Sequence, residues 1–543
     1  MKIEKNEILV YKRLLNDFFS GKCAAKAGLL ERRGAENPLI TGLEYDSREV
    51  KAGNIYFALP GLHVDGHAFI DAAVKSGAAV IVHQNELAEY AKGIVYIRVK
   101  DSRFAMSPIA DAFYDSPSQS MIVIGVTGTE GKSTTVYLIA QLIRFAGYSA
   151  GFISTVMHGD GISDRWNPEH QTTPEALTVH RLLARMRDTG AKAAVIEASS
   201  HGLSKKTNRL GDVIFDVGVM TNVTHEHLEF HGTWEQYRSD KAELFRSLDN
   251  PQESHIKLKQ NNNGAGNLPV PSFGVVNIDD PSASYFAETT RHKTFTYSVH
   301  GGDADLSVRL IESGAEGNWY EIHSAISDEN IIIRDKLPGA FNAANVMASL
   351  LVVSNLFAID IKELAAFVPR LKPVRGRMTA IIKGQPFETL VDYAHTPSSF
   401  ETIFPPLRER LNNCGGRIIT LFGSAGERDT KKRPEQGRIA AKWSDIVILS
   451  DEDPRGEKPM DILEDIAGGC EAREGAGRKT RGKDLFLIPG RPEAIRKAFS
   501  LARKGDIVLL LGKGHENSII YANETMPYDE IAEAEKALEE MGF

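Results

Sequence analysis

The 543-residue chain holds only three cysteines, Cys23, Cys414 and Cys470. They stand far apart and show no metal-ligand spacing, so they read as reduced thiols of a reducing compartment. No stretch is long and apolar enough to span a bilayer. The opening run MKIEKNEILVYKRLL is charged and lacks the apolar segment of a signal peptide. The cytoplasm is therefore the expected location, without membrane insertion. An excess of positive charge is missing too: 64 Lys and Arg face 72 Asp and Glu, for a net charge of -8. That argues against nucleic acid or an anionic membrane as the main partner, but leaves room for a local basic pocket that takes an anionic substrate. There is no repeat of solenoid period and no heptad run. What remains is the composition of an ordinary soluble globular protein, in a length that calls for two to four domains.

The first ~115 residues carry short apolar runs (IYFAL, AAVIV, IVYIRV) between Gly and polar turns, which predicts a small α/β domain. Asp115-Ser116-Pro117-Ser118 reads as a linker. The run MIVIGV at 121–126 predicts a buried strand, followed by a Gly-rich turn and a helix from Lys132 to Phe145. Further strands are expected at 193–198 and 215–222. The alternation predicts a parallel sheet with helices on both faces. Residues 251–270 read as a polar insertion. A third unit begins near Lys372-Pro373, with strands at 417–422, 445–450 and 506–511, again doubly wound α/β. The expected division is 1–117, 118–370 and 371–543.

The sharpest local signal is GVTGTEGKSTT at 125–135. A strand, a glycine turn and a helix in that order make a phosphate loop, whose inward N–H groups and helix N-terminus bind phosphate oxygens. Gly128, Thr129 and Gly131 form the turn. Lys132 is placed to reach the β/γ-phosphates of ATP, and the hydroxyl of Ser133 or Thr134 to bind Mg²⁺. The general pattern is not met strictly, because Gly125 comes one residue early and Val126 takes its place. The bland alternative is a glycine turn without ligand.

T-G-T-E-G-K-S resembles the phosphate loop of the Mur ligase family, and further ordered segments extend the resemblance across nearly the whole chain, towards the MurE type. Asp46-Ser47-Arg48 and Gly61 to Gly66 look like the family's UDP-sugar domain. Thr172-Thr173-Pro174 is similar to a substrate-binding turn, and Glu197-Ala198-Ser199-Ser200-His201 to the E-x-S-S-H segment. Thr221-Asn222 with Glu226 to His231 resembles T-N…D-H-L-D-[YF]-H, and Tyr237 to Lys241 resembles Y-x-x-A-K. Gly339 to Asn345 matches G-x-F-N-x-x-N. Gly376-Arg377-Met378, Asp392 to Pro397, Gly423 to Pro434, Asp453-Pro454-Arg455 and Gly512 to Glu516 complete the series. Four departures stand out. Glu226 and Glu229 replace aspartates, Asp240 replaces a small residue, two extra residues precede Arg209, and Asp453 stands where the diaminopimelate enzymes usually have asparagine.

The resemblance implies three α/β domains: an N-terminal UDP-binding domain, a central ATPase and a Rossmann-like C-terminal domain that takes an amino acid. It also implies a reaction. The γ-phosphoryl of ATP activates the D-glutamate carboxylate of UDP-MurNAc-L-Ala-D-Glu, and the amine of a diamino acid attacks the acyl phosphate. The protein's part is positioning and charge neutralisation. Glu197, at a strand end, suits Mg²⁺ as a hard oxygen ligand, although a helix-terminal charge is the plain alternative. His227 is a second metal ligand by resemblance; alone it would read as a structural imidazole. Lys241 is implied to be carbamylated to N6-carboxylysine and to bind metal, where the bland reading is a solvated lysine. Asn342 and Asn345, three apart on one helix face, suit an adenine edge or else act as caps. Arg377, Asp392 and His395 are implied for ATP, with closure of the C-terminal domain completing the site. Ser47, Arg48, Thr172, Thr173, Ser199, Ser200 and Arg209 are implied for the UDP substrate.

For the acceptor, the resemblance points to Arg428, Asp453, Arg455, Gly512 and Glu516. Arg455 suits the distal carboxylate of meso-diaminopimelate in two-point geometry. The extra charge of Asp453 instead favours a distal ammonium, as in lysine or ornithine. A buried guanidinium without its carboxylate is costly, unless Asp453 itself pairs with Arg455. A monomer is expected. The competing readings are a folylpolyglutamate synthetase-like ligase and a nucleotide-binding regulator without catalysis.

Overall fold

Every apolar run singled out above forms a strand, and the computed structural model shows how they assemble. It describes residues 11–61, 64–167, 171–224, 228–249, 258–260, 267–314, 317–412, 415–472 and 477–543. His227, Cys414 and most of the polar insertion lie outside these. The chain divides into two compact units, Met1–Thr296 with Leu351–Ala358, and Tyr297–Leu350 with Ile359–Phe543.

The first unit holds two sheets. The smaller has strands β1 (Leu29–Arg33), β2 (Gly42–Glu44), β3 (Asn54–Phe57), β4 (Val80–His83) and β5 (Val95–Val99), in the order β1-β5-β4-β3-β2. Only the β1–β5 pair is antiparallel. Helix α1 (Ser102–Phe113) is capped by Asp101, which accepts from the N–H groups of Arg103 and Phe104. Its apolar face enters a core that also takes Ala176, Leu177 and Ala184 from helix α3 (Ala176–Asp188), so the two sheets' layers share one buried contact.

The larger sheet is built on β6 (Ile122–Thr127), a strand buried at every residue. Beside it run β7 (Ala150–Ile153), β10 (Ala193–Glu197), β11 (Val217–Met220) and β12 (Phe273–Asn277), all parallel, in the order β7-β10-β6-β11-β12. A hairpin, β8 (Met157–Gly159) and β9 (Asp164–Trp166), extends the β7 edge. Continuous apolar runs fit a sheet covered on both faces. Helix α2 (Lys132–Phe145) follows the phosphate loop and buries Val136, Leu138, Ile139, Leu142 and Ile143. Helix α4 (Ser200–Leu203) follows β10, and α5 (Trp234–Ser247) lies further on.

The second unit contains an antiparallel meander, β13 (Leu306–Gly314), β14 (Gly317–Ser324) and β15 (Glu329–Arg334). Asn342 opens helix α6 (Asn342–Phe357). The C-terminal sheet has strands β16 (Thr379–Ile381), β17 (Glu388–Asp392), β18 (Ile418–Phe422), β19 (Ile446–Leu449), β20 (Leu485–Leu487) and β21 (Ile507–Leu511), in the order β16-β17-β21-β18-β19-β20. All neighbours are parallel except β16–β17. Such a sheet presents its ligand crevice at the carboxyl ends of its strands. No helix among the described residues is long and apolar enough to cross a membrane.

Candidate functional site

At the carboxyl end of β6 the backbone turns through Gly128 at φ +152°, where a Cβ would meet Thr221 Oγ1 at 1.9 Å. Only glycine fits there. The loop is then held from the end of β11. Thr129 N–H donates to Asn222 O (2.8 Å), Glu130 N–H donates to Asn222 Oδ1 (2.8 Å), and Thr221 Oγ1 donates to Glu130 O (2.6 Å). Gly131, at φ +82°, leads into α2. The Lys132 ammonium folds back onto Thr129 O (2.8 Å). Ser133 is buried and Thr134 half-buried.

Glu197, the last residue of β10, is buried beside this loop. Its Oε2 accepts from Ser133 Oγ (2.9 Å) and from Thr155 N–H (2.8 Å). A carboxylate and a hydroxyl at that distance form a pair of hard oxygen donors that fits Mg²⁺. Lys241 is not a solvated lysine: it is 2% exposed, and its Nζ donates to Gly128 O at 2.5 Å. The same face of α5 carries Tyr237, whose ring lies 4.5 Å below that ammonium and whose hydroxyl is 3.0 Å from Thr129 Oγ1. So Ser133, Glu197 and Lys241 are all gathered at the phosphate loop, while His227 lies outside the described residues.

Asp240, one residue before Lys241, faces another way. Its Oδ2 lies 2.7 Å from His231 Nδ1, and its Oδ1 accepts from Gln236 Nε2 at 2.8 Å. Burial pushes its carboxyl up, but hydrogen bonds from His231, Gln236 and Ser204 outweigh that and hold it below the usual range. On the other side of the ring, His231 Nε2 is 3.1 Å from Ser200 Oγ. Ser199 caps α4 by accepting from Gly202 N–H, and shares a hydrogen bond with Thr173 Oγ1 (2.9 Å). Thr173 Oγ1 also donates to Glu197 O. Arg209 donates to Thr173 O (2.8 Å) and pairs with the buried Glu175 (2.9 Å), which Arg103 also holds. The two extra residues before it leave Arg209 at this turn. Thr172 and Ser47 are half-buried, and the exposed Arg48 pairs with Asp46.

In the second unit, Asn342 Nδ2 donates to Pro338 O (2.7 Å) and Asn345 Nδ2 to Asn342 Oδ1 (2.9 Å), so the two amides do share one face. Asp392 ends β17 and accepts from Met378 and Ala394 N–H, both at 2.7 Å. Burial pushes its carboxyl up against the opposing pull of Arg377. The Arg377 guanidinium lies 4.7 Å from the Tyr393 ring centre, and His395 Nδ1 is 2.8 Å from Tyr393 O.

Of the acceptor residues, Asp453 and Arg455 follow β19 and Gly512 and Glu516 follow β21, while Arg428 comes after β18, and one pairing needs correction. Asp453 does not pair with Arg455. It pairs with Lys513, which is fully buried and reaches Asp453 Oδ1 at 2.9 Å and Glu516 Oε2 at 2.5 Å. Burial alone would lower the Lys513 ammonium, but Glu516 and Asp453 outweigh it and keep the lysine charged. Asp453 also accepts from Ile520 N–H (3.0 Å). Among the described residues the buried Nε of Arg455 has no hydrogen-bond partner, and neither has Glu452 Oε2, which lies 2.9 Å from where a Cβ on Gly512 would stand. Burial raises Asp451 to about 6. Arg428 is exposed. Lys513, Glu452 and Asp451 were missed in the sequence; Lys513 was in view within the G-K-G-H-E segment, but its spacing from Asp453 gave no signal.

Family models match three stretches: Mur ligase family, catalytic domain, at 39–114; Mur ligase middle domain at 126–353; and Mur ligase, glutamate ligase domain, at 376–514. The chain is 50% identical over 524 residues to the UDP-N-acetylmuramyl-tripeptide synthetase of Treponema denticola, covering 93% of this chain and 95% of that one. It is 36% identical over 507 residues to the UDP-N-acetylmuramoyl-L-alanyl-D-glutamate--2,6-diaminopimelate ligase of Geobacillus kaustophilus, covering 93% and 96%. A solved structure of a ligase with this latter name superposes with a TM-score of 0.58 at 28% identity, over 93% of this chain and 96% of that one.

Proposed function

Because the chain belongs to the Mur ligase family, we propose that it adds a diamino acid, meso-diaminopimelate first, to UDP-MurNAc-L-Ala-D-Glu at the expense of ATP. The observation that carries this reading is the convergence of Lys132, Ser133, Glu197 and Lys241 on one phosphate loop. In the first step the γ-phosphorus bond to ADP breaks and a D-glutamate carboxylate oxygen takes the phosphoryl group. Loop N–H groups and Lys132 balance the charge that builds on the phosphoryl oxygens. In the second step the acceptor's amine attacks the acyl carbon, phosphate leaves with the C–O bond, and the nitrogen loses a proton.

Ser133 and Glu197 are the residues to hold Mg²⁺, with His227 by resemblance; the ion supplies positive charge to the transferring phosphoryl group. Lys241 is the site for carbamylation, in which its neutral amine adds to CO₂ and releases a proton, leaving an anion on a formerly cationic side chain. Thr172, Thr173, Ser199, Ser200 and Arg209 serve the peptide part of the nucleotide, with Ser47 and Arg48 at its uridine end. Asn342, Asn345, Arg377, Asp392 and His395 serve ATP. The functional segments are 1–117, 118–370 and 371–543, and the place of work is the cytoplasm.

For the acceptor, Lys513 bridges Asp453 and Glu516 and offsets part of their charge, which lessens the objection to diaminopimelate. Arg455, with its buried Nε open, suits the distal carboxylate. A second reading, lysine or ornithine, draws on Glu452, whose buried Oε2 beside Gly512 suits a distal ammonium. The test is phosphate release with UDP-MurNAc-L-Ala-D-Glu and the three acceptors in competition. Release with diaminopimelate, and a large rise in its KM in Arg455→Ala, supports the first reading. Use of lysine or ornithine alone replaces it with the second. Release that needs a folate instead, or none with any acceptor, sinks both.

A further inference from the structure

The chain's own departure at position 240 sets a carboxylate, an imidazole and a hydroxyl in one buried line: Asp240 Oδ2, His231 Nδ1 at 2.7 Å, then His231 Nε2 and Ser200 Oγ at 3.1 Å. We propose that Asp240 is a positioning residue for the nucleotide-peptide substrate: through His231 it fixes the Ser200 hydroxyl and the 199–201 turn, and it does not act on the neighbouring Lys241. The proposal rests on the reading of that turn as part of the substrate site.

Three observations carry it. First, direction: Lys241 reaches Gly128 O and Tyr237, whereas Asp240 bonds to His231, Gln236 and Ser204. Second, polarity. A carboxylate only accepts, so it holds a proton on His231 Nδ1 and leaves the Nε2 of a neutral ring to accept from Ser200. With the ring in that form, Ser200 Oγ donates to Nε2. Third, lack of slack: Asp240, His231 and Ser200 are 5%, 4% and 2% exposed, so a wrongly placed proton meets no water. Ser199, next along, is tied to Thr173, whose hydroxyl donates to Glu197 O, so the turn transmits what Ser200 does.

The decisive variant is isosteric. In Asp240→Asn, keeping the bond from Gln236 Nε2 turns the new NH₂ towards His231 Nδ1. The ring must then carry its proton on Nε2, against the Ser200 hydroxyl, as with the wrong tautomer of a serine protease Asp→Asn variant. Asp240→Ala only removes the constraint. The expected result is that Asp240→Asn raises KM for UDP-MurNAc-L-Ala-D-Glu about tenfold, the scale of one lost hydrogen bond, and more than Asp240→Ala does. KM for ATP and the dependence of kcat on bicarbonate should stay as in wild type. An Ala variant as poor as Asn, or a shift in ATP KM or bicarbonate dependence, overturns the proposal. Wild type that never uses UDP-MurNAc-L-Ala-D-Glu would instead refute the functional reading beneath it. If Asp240→Asn does not fold, ¹⁵N shifts of labelled histidine in wild type, assigned against His231→Gln, decide. An Nδ1–H ring at His231 is required, and an Nε2–H ring ends the idea.

Discussion

Among the described residues Lys132 Nζ bonds only to a carbonyl of its own loop, so its charge is free to serve a ligand. Lys132→Ala is expected to melt like wild type and to lose ligation by about 100-fold or more, the scale of removing a preorganised donor from a charged transition state. Full turnover by the folded variant would refute the ATPase assignment. Lys241 separates two chemistries at one atom. Lys241→Ala should be nearly inactive and partly rescued by acetate, while Lys241→Arg, which keeps a cation and cannot take CO₂, should be dead. Wild-type rates in Lys241→Arg would end the carbamate reading. Asp453→Asn should be costly in stability, on the order of 1–3 kcal/mol, because the buried Lys513 loses one of its two carboxylates. Its choice among acceptors should not change, which competition assays read directly. The residue types at the phosphate loop were legible because strand, glycines and Lys-Ser stand side by side in the chain. The partners of His231 and Asp453 were not: Ser200 lies 31 residues before one, and Lys513 60 residues beyond the other. Distance along the chain carries no periodic signal of such a contact.

At the scale of elements, fully buried strands such as β6, β18 and β21 announce themselves as apolar runs, and α2 by its apolar spacing. The packing of α1 on α3 was silent in the sequence, yet it carries a titratable load. His180 on α3 is wholly buried, with Ser107 Oγ at 3.3 Å and Asp111 Oδ1 at 3.6 Å, both from α1. Burial lowers its pKa from 6.5 to about 4. The folded state thus keeps the ring neutral where the unfolded chain takes up a proton. Stability from this group is complete above pH 6.5 and falls as pH drops towards about 4. The expected slope is about 1 kcal/mol per pH unit. His180→Gln should flatten it in a series of melts from pH 7 to about 4; an unchanged slope would exonerate this histidine.

For the whole molecule, a three-domain α/β fold of the kind expected from the sequence is that of its solved relatives. Mg²⁺ should matter to the reaction but not to folding, because Ser133 and Glu197 already satisfy one another by a hydrogen bond. A chelator should stop phosphate release, with recovery on added Mg²⁺, and leave the melting temperature in place. A drop in melting temperature on chelation alone would mean that a metal holds the fold.

The bonds that shape the phosphate loop reach forward along the chain. Glu130 is held by Asn222, and Gly128 O by Lys241, 113 residues later. A ribosome that has not yet passed Asn222 has made the glycines but none of these clasps. The loop's shape should therefore be set only near the emergence of α5, ahead of the ATP residues from Asn342 onward, and a nascent chain truncated before α5 should carry the motif without the grip.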